Sequence, residues 1–307
     1  MANPSQHPFG LPVSPSGELE LRKVHLIHTI CELRAALTQP RRAGARIGLV
    51  PTMGAFHEGH LSLMRQARSE CDVVVVSLFV NPPQFNETGD LAAYPRDEAR
   101  DLALAAETEV DFVFAPSAEE IYPDGFATTI AVTGVSEALE GAHRGAGHFD
   151  AVATVVAKLF NIAGPDVAYF GQKDAQQALV IRHLVTDLNI PVRIEVCPTV
   201  READGLALSS RNVRLTLDER RRATALHRGL TRAVELAQAG ERDAAAILAA
   251  GRSELEDVGI VPEYLELVDP ETLAPVVRLN GRAALAVVAA RVGDTRLIDN
   301  EPLGGSL

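Results

Sequence analysis

Residues 47–80 read IGLVPTMGAFHEGHLSLMRQARSECDVVVVSLFV. Two uninterrupted apolar runs, at 47–50 and 73–80, enclose a segment at 60–70 whose apolar residues recur with helical spacing. Apolar strands without polar alternation, separated by a helix, are typical of a parallel sheet that is covered on both faces. This stretch therefore predicts a β–α–β unit and, with it, a doubly wound α/β fold.

The same alternation extends along the chain to about residue 199. Further helices are predicted at 96–107, 150–163 and 174–188, and further strands at 111–115, 166–170 and 192–196. We therefore predict a Rossmann-like domain over residues 23–199. Residues 1–22 are rich in Pro and Ser and lack the basic start and apolar centre of a signal peptide, so they are predicted to form a flexible tail.

The pattern changes after residue 200. The stretch READGLALSSRN at 201–212 is polar without a clear period and predicts a flexible segment. Helices are predicted after it at 218–239 and 242–256, and strands at 263–268, 284–291 and 295–298. Helices followed by strands indicate a smaller, separate α+β domain, which we place at residues 200–307 and expect to act as a lid.

Composition narrows the classes of partner. A net charge of −12 argues against a general nucleic-acid or membrane-surface binder, and no apolar run approaches the ~20 residues of a membrane helix. The cysteines Cys31, Cys71 and Cys197 are far apart, which suits a reducing cytoplasm. Any anionic substrate must therefore be bound by a local cluster of positive groups.

Four polar stretches are candidates for that cluster. In open parallel sheets, ligands bind beyond the carboxyl ends of the strands. The stretches predicted to lie there, or at the junction with the second domain, are PTMGAFHEGH at 51–60, NPPQF at 81–85, GQKDAQQ at 171–177 and LSSRN at 208–212. Lysine is scarce in the chain, so Lys173 at a strand-to-helix turn is a candidate phosphate ligand. Lys158 is instead predicted to lie on a solvated helical face with Asp150, Thr154 and Asn161.

The histidines of the first stretch admit several interpretations. HEGH is one residue shorter than the zinc motif H-E-x-x-H, so a zinc hydrolase fits poorly. A helix cap explains one of the two histidines but not both together with Gly54 and Gly59. A glycine at a helix start allows phosphate to approach the free N–H groups, and two imidazoles can donate to its oxygens. Asp174 is ambiguous, because it would also serve as the N-cap of the following helix.

Taken together, these stretches have a specific resemblance. With YPRD at 94–97, HRGAGHFDAVATVVAKLF at 143–160 and PTVREADGLALSSRN at 198–212, they resemble the pantothenate synthetase (pantoate–β-alanine ligase) family, within the nucleotidylyltransferases that share an H-x-G-H signature. The resemblance covers about residues 23–300. It implies an ATP- and Mg²⁺-dependent condensation of pantoate with β-alanine through a pantoyl adenylate, with release of AMP and pyrophosphate, by a cytoplasmic homodimer.

The resemblance also assigns residues. It implies catalytic roles for His57, His60 and Lys173. It implies ATP contacts at Pro51, Met53, His57, His60, Gly171, Lys173, Asp174, Val200, Leu208, Ser209, Ser210 and Arg211. It places pantoate at Gln84 and Gln177 and suggests Asp101 as a metal ligand. Arg144 and His148 match a loop near the site without an assigned role. Gln172, Leu208 and Pro83 depart from the family's usual residues, but none of them removes a group with a phosphate or substrate role.

From the residues alone, two other functions stay open. One is a different nucleotidylyltransferase that attaches a nucleotide to a phosphorylated acceptor, which shares the H-x-G-H signature but needs no amine-accepting step. The other is a nucleotide-binding regulator that no longer catalyses. The retention of His57, His60 and Lys173 argues against the regulator.

Overall fold

The computed structural model describes residues 24–85, 88–92, 94–145 and 147–304. The predicted tail at 1–22 lies outside these residues. Six strands form one parallel sheet in the order β1-β4-β3-β2-β5-β6. The strands are β1 His25–Ile27, β2 Ile47–Thr52, β3 Val73–Leu78, β4 Phe112–Phe114, β5 Val167–Gly171 and β6 Arg193–Cys197.

Helices cover both faces of this sheet. They are α1 Ile30–Arg42, α2 Glu58–Glu70, α3 Thr88–Ala92, α4 Glu98–Glu107, α5 Ala118–Ile121, α6 Glu140–Arg144, α7 Gly147–Ala163 and α8 Ala175–Asp187. In β2, Leu49 packs in the core that contains Phe160 of α7, and the next residue, Val50, packs in the core that contains Met64 of α2. Both faces of the strand are therefore apolar, which is why its sequence lacks polar alternation.

The strand order reverses at the centre of the sheet. From β2 the chain runs to β3 on one side, and it returns to β5 on the other side. Crevices that bind ligands in open α/β sheets lie beyond the carboxyl ends of the strands at such a switch point. This topology brings the stretches after β2 and β5 together.

A second, antiparallel sheet has the order β7-β8-β9. Its elements are α9 Leu217–Ala223, α10 Ala225–Gln238, α11 Ala244–Glu256, β7 Pro262–Val268, β8 Ala284–Val292 and β9 Thr295–Leu303. One face packs on α10 and α11. These two helices cross closely at Gly229 and Gly251, where no larger side chain would fit: a Cβ on Gly229 would lie 2.7 Å from the Gly251 carbonyl oxygen. On the other face, Leu285 and Tyr264 join the core of the parallel sheet.

The predicted fold class is confirmed, with differences in detail. The predicted helix at 218–239 is two helices that meet at Thr224. Strand β1 and helix α1 were not predicted, since a three-residue edge strand carries little sequence pattern. Residues 201–212 do not form an irregular segment. Arg201 pairs with Ala207 across a hairpin whose turn contains Gly205 with φ +90°. Within the described ranges, no helix has the length and apolarity to cross a membrane.

Candidate active site

One cleft at the switch point brings the predicted nucleotide and substrate residues together. It is lined by Pro51, Met53, His57, His60, Gln84, Arg144, His148, Gly171, Lys173, Asp174, Gln177, Val200, Leu208, Ser209, Ser210 and Arg211. These residues come from separate stretches of the chain. Their convergence follows from the strand order and from the packing of the second sheet.

The backbone after β2 is fixed before it reaches the histidines. Gly54 and Ala55 both have positive φ, of 87° and 53°. The buried carboxylate of Asp101 accepts hydrogen bonds from the N–H groups of Ala55 and Phe56, both at 2.8 Å. A Cβ on Gly54 would lie 3.0 Å from that carboxylate, so glycine is required by both conformation and space. This loop is therefore held rigidly where it enters the cleft.

His57 is both a helix cap and a cleft residue. It is the N-cap of α2, and its Nδ1 accepts a hydrogen bond of 3.1 Å from the N–H of Gly59. A Cβ on Gly59 would lie 2.9 Å from the His57 ring. Because Nδ1 accepts, the neutral ring carries its proton on Nε2, which is then the donor available to a ligand. The cap interpretation and the phosphate interpretation are thus compatible.

His60 stacks one turn further along the helix. The centres of the two imidazole rings are 4.2 Å apart. Its Nδ1 is buried and has no hydrogen-bond partner in the described part of the chain, while the residue itself lines the cleft. Burial and the Lys173 ammonium lower the pKa of His57 to about 4, and burial and the neighbouring His57 lower the pKa of His60 to about 3. Both rings are therefore neutral donors near pH 7.

The positive charge beside these rings comes from Lys173. Its side chain is only 18% exposed, and its Nζ lies 3.7 Å from the Asp174 carboxylate. Lys173 sits on a 3-10 turn, Gln172–Asp174, directly after β5. Asp174 occupies the N-cap position of α8, but its side chain makes no capping hydrogen bond. Both side chains line the cleft, so the cap alternative does not account for Asp174.

The two predicted pantoate residues come from different elements: Gln84 follows β3, and Gln177 lies on α8. Gln84 ends the 3-10 turn Pro82–Gln84. The preceding residue, Asn81, is 1% exposed, and its side chain donates to the Ala151 carbonyl at 3.2 Å and accepts from the Tyr122 hydroxyl at 2.7 Å. Asn81 lines the same cleft. It lies in the candidate stretch at 81–85, but no role was predicted for it; its position directly after an apolar strand was the one available signal.

Arg144 and His148 also line the cleft, and each is held there by a hydrogen bond to a neighbouring residue. Arg144 donates to the Glu140 carboxylate at 2.8 Å. The Nδ1 of His148 lies 3.1 Å from the Gln84 carbonyl oxygen. Burial, followed by the charge of Arg144, lowers the pKa of His148 to about 4. The loop around α6 therefore supports the wall that contains Gln84.

The LSSRN stretch is held by long-range ion pairs. Arg201 binds Asp299 and Glu301 of β9, each at 2.6 Å, at the start of the hairpin. Arg220 of α9 binds Glu202 at 2.6 Å. Ser209 then caps the 3-10 turn Ser210–Arg214, so the hydroxyls and the guanidinium face the cleft as part of the carboxy-terminal structure.

The structure bears on two further sequence interpretations. Asp101 is not among the residues that line the cleft, and both of its oxygens accept backbone hydrogen bonds; its role as a metal ligand stays a prediction. Burial raises its pKa, although the two N–H groups oppose that effect. The face that carries Lys158 is only partly solvated, because Asn161 is exposed but Lys158 itself is half-buried. Its Nζ lies 4.5 Å from the centre of the Phe126 ring, and Thr154 beside it is buried.

Sequence comparisons connect this arrangement to known proteins. A family model described as Pantoate-beta-alanine ligase matches residues 25–302. A pantothenate synthetase of Cereibacter sphaeroides is 55% identical over 285 residues, with 91% of this chain and 99% of the relative covered. One of Moorella thermoacetica is 54% identical over 281 residues, with 90% and 98% covered.

Solved structures agree with the sequence comparisons. The pantothenate synthetase of Thermus thermophilus superposes with a TM-score of 0.85 at 48% identity, covering 90% of this chain and 98% of that one. The pantoate-beta-alanine ligase of Francisella tularensis, complexed with beta-gamma ATP and beta-alanine, gives a TM-score of 0.74 at 36% identity, covering 91% and 97%.

Proposed function

Because this chain belongs to the pantoate–β-alanine ligase family, we propose that it condenses pantoate with β-alanine in an ATP-dependent reaction. The single observation that carries this proposal is the cleft, which is lined by two neutral imidazoles, the largely buried Lys173, residues Ser209–Arg211, and the amides Gln84 and Gln177. Side chains that can bind phosphate and side chains that can bind a small acid therefore line one site.

The first half-reaction follows from this distribution of groups. A carboxylate oxygen of pantoate attacks the α-phosphorus of ATP, the bond to the bridging oxygen of the β-phosphate breaks, and pyrophosphate leaves. Such a transfer depends on positioning and charge neutralisation rather than on a protein nucleophile. We assign the Nε2 proton of His57 and the ring of His60 to the phosphate oxygens, and Lys173 to the negative charge that develops on the leaving group.

The second half-reaction needs protection of the intermediate. The amine of β-alanine attacks the acyl carbon of pantoyl adenylate, the amine loses a proton, and AMP leaves. A mixed anhydride of this kind hydrolyses in water, so the cleft must exclude solvent. We assign that task to residues 200–307 as a lid, since Ser209–Arg211 line the cleft and are bound to β9 through Arg201.

We propose that Mg²⁺ binds together with ATP, through the phosphates of the nucleotide. Within the described ranges, no group of three or more His, Cys, Asp and Glu residues could hold a metal ion. Mg²⁺ commonly binds substrate phosphates and keeps several waters, so a protein-only site is not required. Our assignment of the protein as a cytoplasmic homodimer likewise rests on the family resemblance.

Isotope exchange tests the order of events. The protein should exchange labelled pyrophosphate into ATP when it is given pantoate and Mg²⁺ without β-alanine, because none of the assigned groups requires the amine. Exchange should vanish when pantoate is omitted. Exchange that needed a phosphorylated acceptor would favour the rival transferase, and exchange that strictly needed β-alanine would overturn the adenylate.

A further inference from the structure

Strand β9 carries three consecutive polar residues, Asp299, Asn300 and Glu301, in a sheet whose neighbouring strand is apolar. Asp299 is 3% exposed and Asn300 is 4% exposed. Buried polar side chains are retained in a fold when they make specific hydrogen bonds, because each unpaired group costs about 1–3 kcal/mol. The partners of these residues therefore indicate what they do.

The partners of Asn300 lie on the turn that carries Lys173. Its Nδ2 group donates to the carbonyl oxygens of Gln172 at 2.9 Å and of Lys173 at 3.0 Å. Its Oδ1 accepts from the Gln172 side chain at 2.9 Å. The side chain thus makes three hydrogen bonds, all of them to one 3-10 turn. They fix the backbone of the residue whose ammonium reaches the cleft.

The neighbours of Asn300 hold the other phosphate-binding stretch. Asp299 and Glu301 both bind the guanidinium of Arg201 at 2.6 Å. Arg201 opens the hairpin that leads to Ser209, and Leu208 returns to donate its N–H to the Val200 carbonyl. One strand of the second sheet therefore contacts both stretches, so a displacement of β9 would move Lys173 as well as the serines.

We propose that Asn300 is a positioning residue for Lys173 and that it couples the placement of the second sheet to the phosphate contact of that lysine. The proposal rests on the function proposed above, because it assumes that Lys173 acts on the phosphates. Asn300 is not among the residues that line the cleft with His57, although it lines an adjoining cavity that Lys173 also lines. It acts by fixing the turn, and small misplacements of a catalytic group cost up to ~10²-fold in rate.

A double-mutant cycle tests this role. Asn300→Ala should lower the turnover of pyrophosphate exchange by ~10-fold or more while the Kd for pantoate stays within about twofold. In a Lys173→Ala background the same change should have no further effect on turnover, because the group that it positions is gone. Equal losses in both backgrounds would overturn the proposal. The control is Asn280→Ala, which removes an exposed amide from the loop before β8 of the same sheet.

Chemical labelling of lysine gives a readout that does not depend on activity. The rate at which an amine-reactive reagent modifies Lys173 should rise several-fold in Asn300→Ala, with Lys158 of helix α7 as the internal reference. An unchanged Lys173 rate would overturn the proposal even if turnover fell. Asn300→Asp, which keeps the shape but loses both donors, should behave in the same way and serves if the alanine variant does not fold. Absence of pantoate-dependent exchange in the unmodified protein would refute the proposed function and leave this labelling test intact.

Discussion

The stretches at 51–60 and 208–212 line the same cleft but are held in opposite ways. The first is fixed by elements that pack on the parallel sheet, through the carboxylate of Asp101 on α4 and the cap that His57 makes on α2. The second is fixed by ion pairs from distant elements, through Arg201 to β9 and Arg220 to Glu202. Hydrogen bonds inside the parallel-sheet part of the chain hold the histidines, whereas ion pairs within the carboxy-terminal part hold the serines.

This difference separates two tasks. A loop whose backbone is buried and hydrogen-bonded within its own sheet is preorganised, which suits stabilisation of a transition state. A hairpin that is attached to the second sheet moves with that sheet, which suits capture of the nucleotide. We therefore expect changes in the first stretch to lower kcat and changes that loosen the second stretch to raise the KM for ATP.

The largest effect is expected at the histidines. His57→Ala and His60→Ala should each lower the rate of pyrophosphate exchange by ~10²-fold or more, the usual scale for the loss of one preorganised donor. The Kd for pantoate, measured by calorimetry, should change little, because the assigned partners are phosphate oxygens. His25→Ala, at an exposed position of β1, is the matched control. A variant with normal turnover and weakened pantoate binding would show that the histidine was assigned to the wrong ligand.

The anchor of the first stretch should have an intermediate effect. Asp101→Asn places an amide NH₂ against backbone donors, so we expect a loss of about 1–3 kcal/mol in the free energy of unfolding and a fall of ~10-fold in kcat. Urea unfolding and steady-state kinetics measure the two quantities. The Mg²⁺ concentration for half-maximal activity should not change if Asp101 serves only to hold the loop through its two backbone donors. Asp97→Asn, at the exposed N-cap of α4, is the control, and a raised Mg²⁺ requirement would support the metal assignment.

Loosening the second stretch should have a smaller effect. Arg220→Met removes the partly exposed ion pairs to Glu202 and Asp204, and such pairs contribute only ~0.2–1 kcal/mol. We expect the KM for ATP to rise up to ~5-fold, with kcat nearly unchanged. Arg221→Met, at the exposed neighbouring position, should leave both constants unaltered. A fall in kcat with an unchanged KM for ATP would contradict the proposal that the second stretch captures the nucleotide and the first stretch stabilises the transition state.

The smallest effect on kcat is expected from pH in the neutral range. With folded-state pKa values of about 4 and about 3, His57 and His60 stay neutral throughout the neutral range, so kcat should show no histidine inflection near pH 6.5. Their pKa values are lower than in the unfolded chain, so unfolding takes up protons below pH 6.5. Stability should therefore fall as pH drops from about 6.5 towards about 4. Ring titrations followed by NMR measure this, and a His57 midpoint near 6.5 would contradict it.

Much of the fold was predictable because burial on both faces leaves a plain pattern. Leu49 and Val50 enter opposite cores, so the strand reads as an unbroken apolar run. The break at Thr224 was missed because it does not interrupt the periodic pattern of the helix. The strand β1 was missed because it is too short to show a pattern. The site residues that were found lie within motifs that are local in sequence, such as HEGH and GQKD.

The supporting residues were not predictable in the same way. The hydrogen-bond partners of Asn81, Asp101 and Asn300 are distant along the chain. An isolated polar residue in a sequence does not reveal which groups it will contact in the fold. Asp101 was assigned to a metal because an acidic residue near a phosphate site has two plausible uses. Its burial and its two backbone donors show the structural use, which the sequence alone does not reveal.

The sequence by itself determined the parallel sheet, the family, and the chemical groups available to the phosphates, because periodicity and local motifs are properties of neighbouring residues. The tertiary structure alone decided how those groups are held. Strand order places the turn after β5 beside the loop after β2, and β9 of the second sheet reaches the backbone of Lys173 through Asn300. Hydrogen bonds and ion pairs depend on distance in space, and that distance is set only when the two sheets pack together.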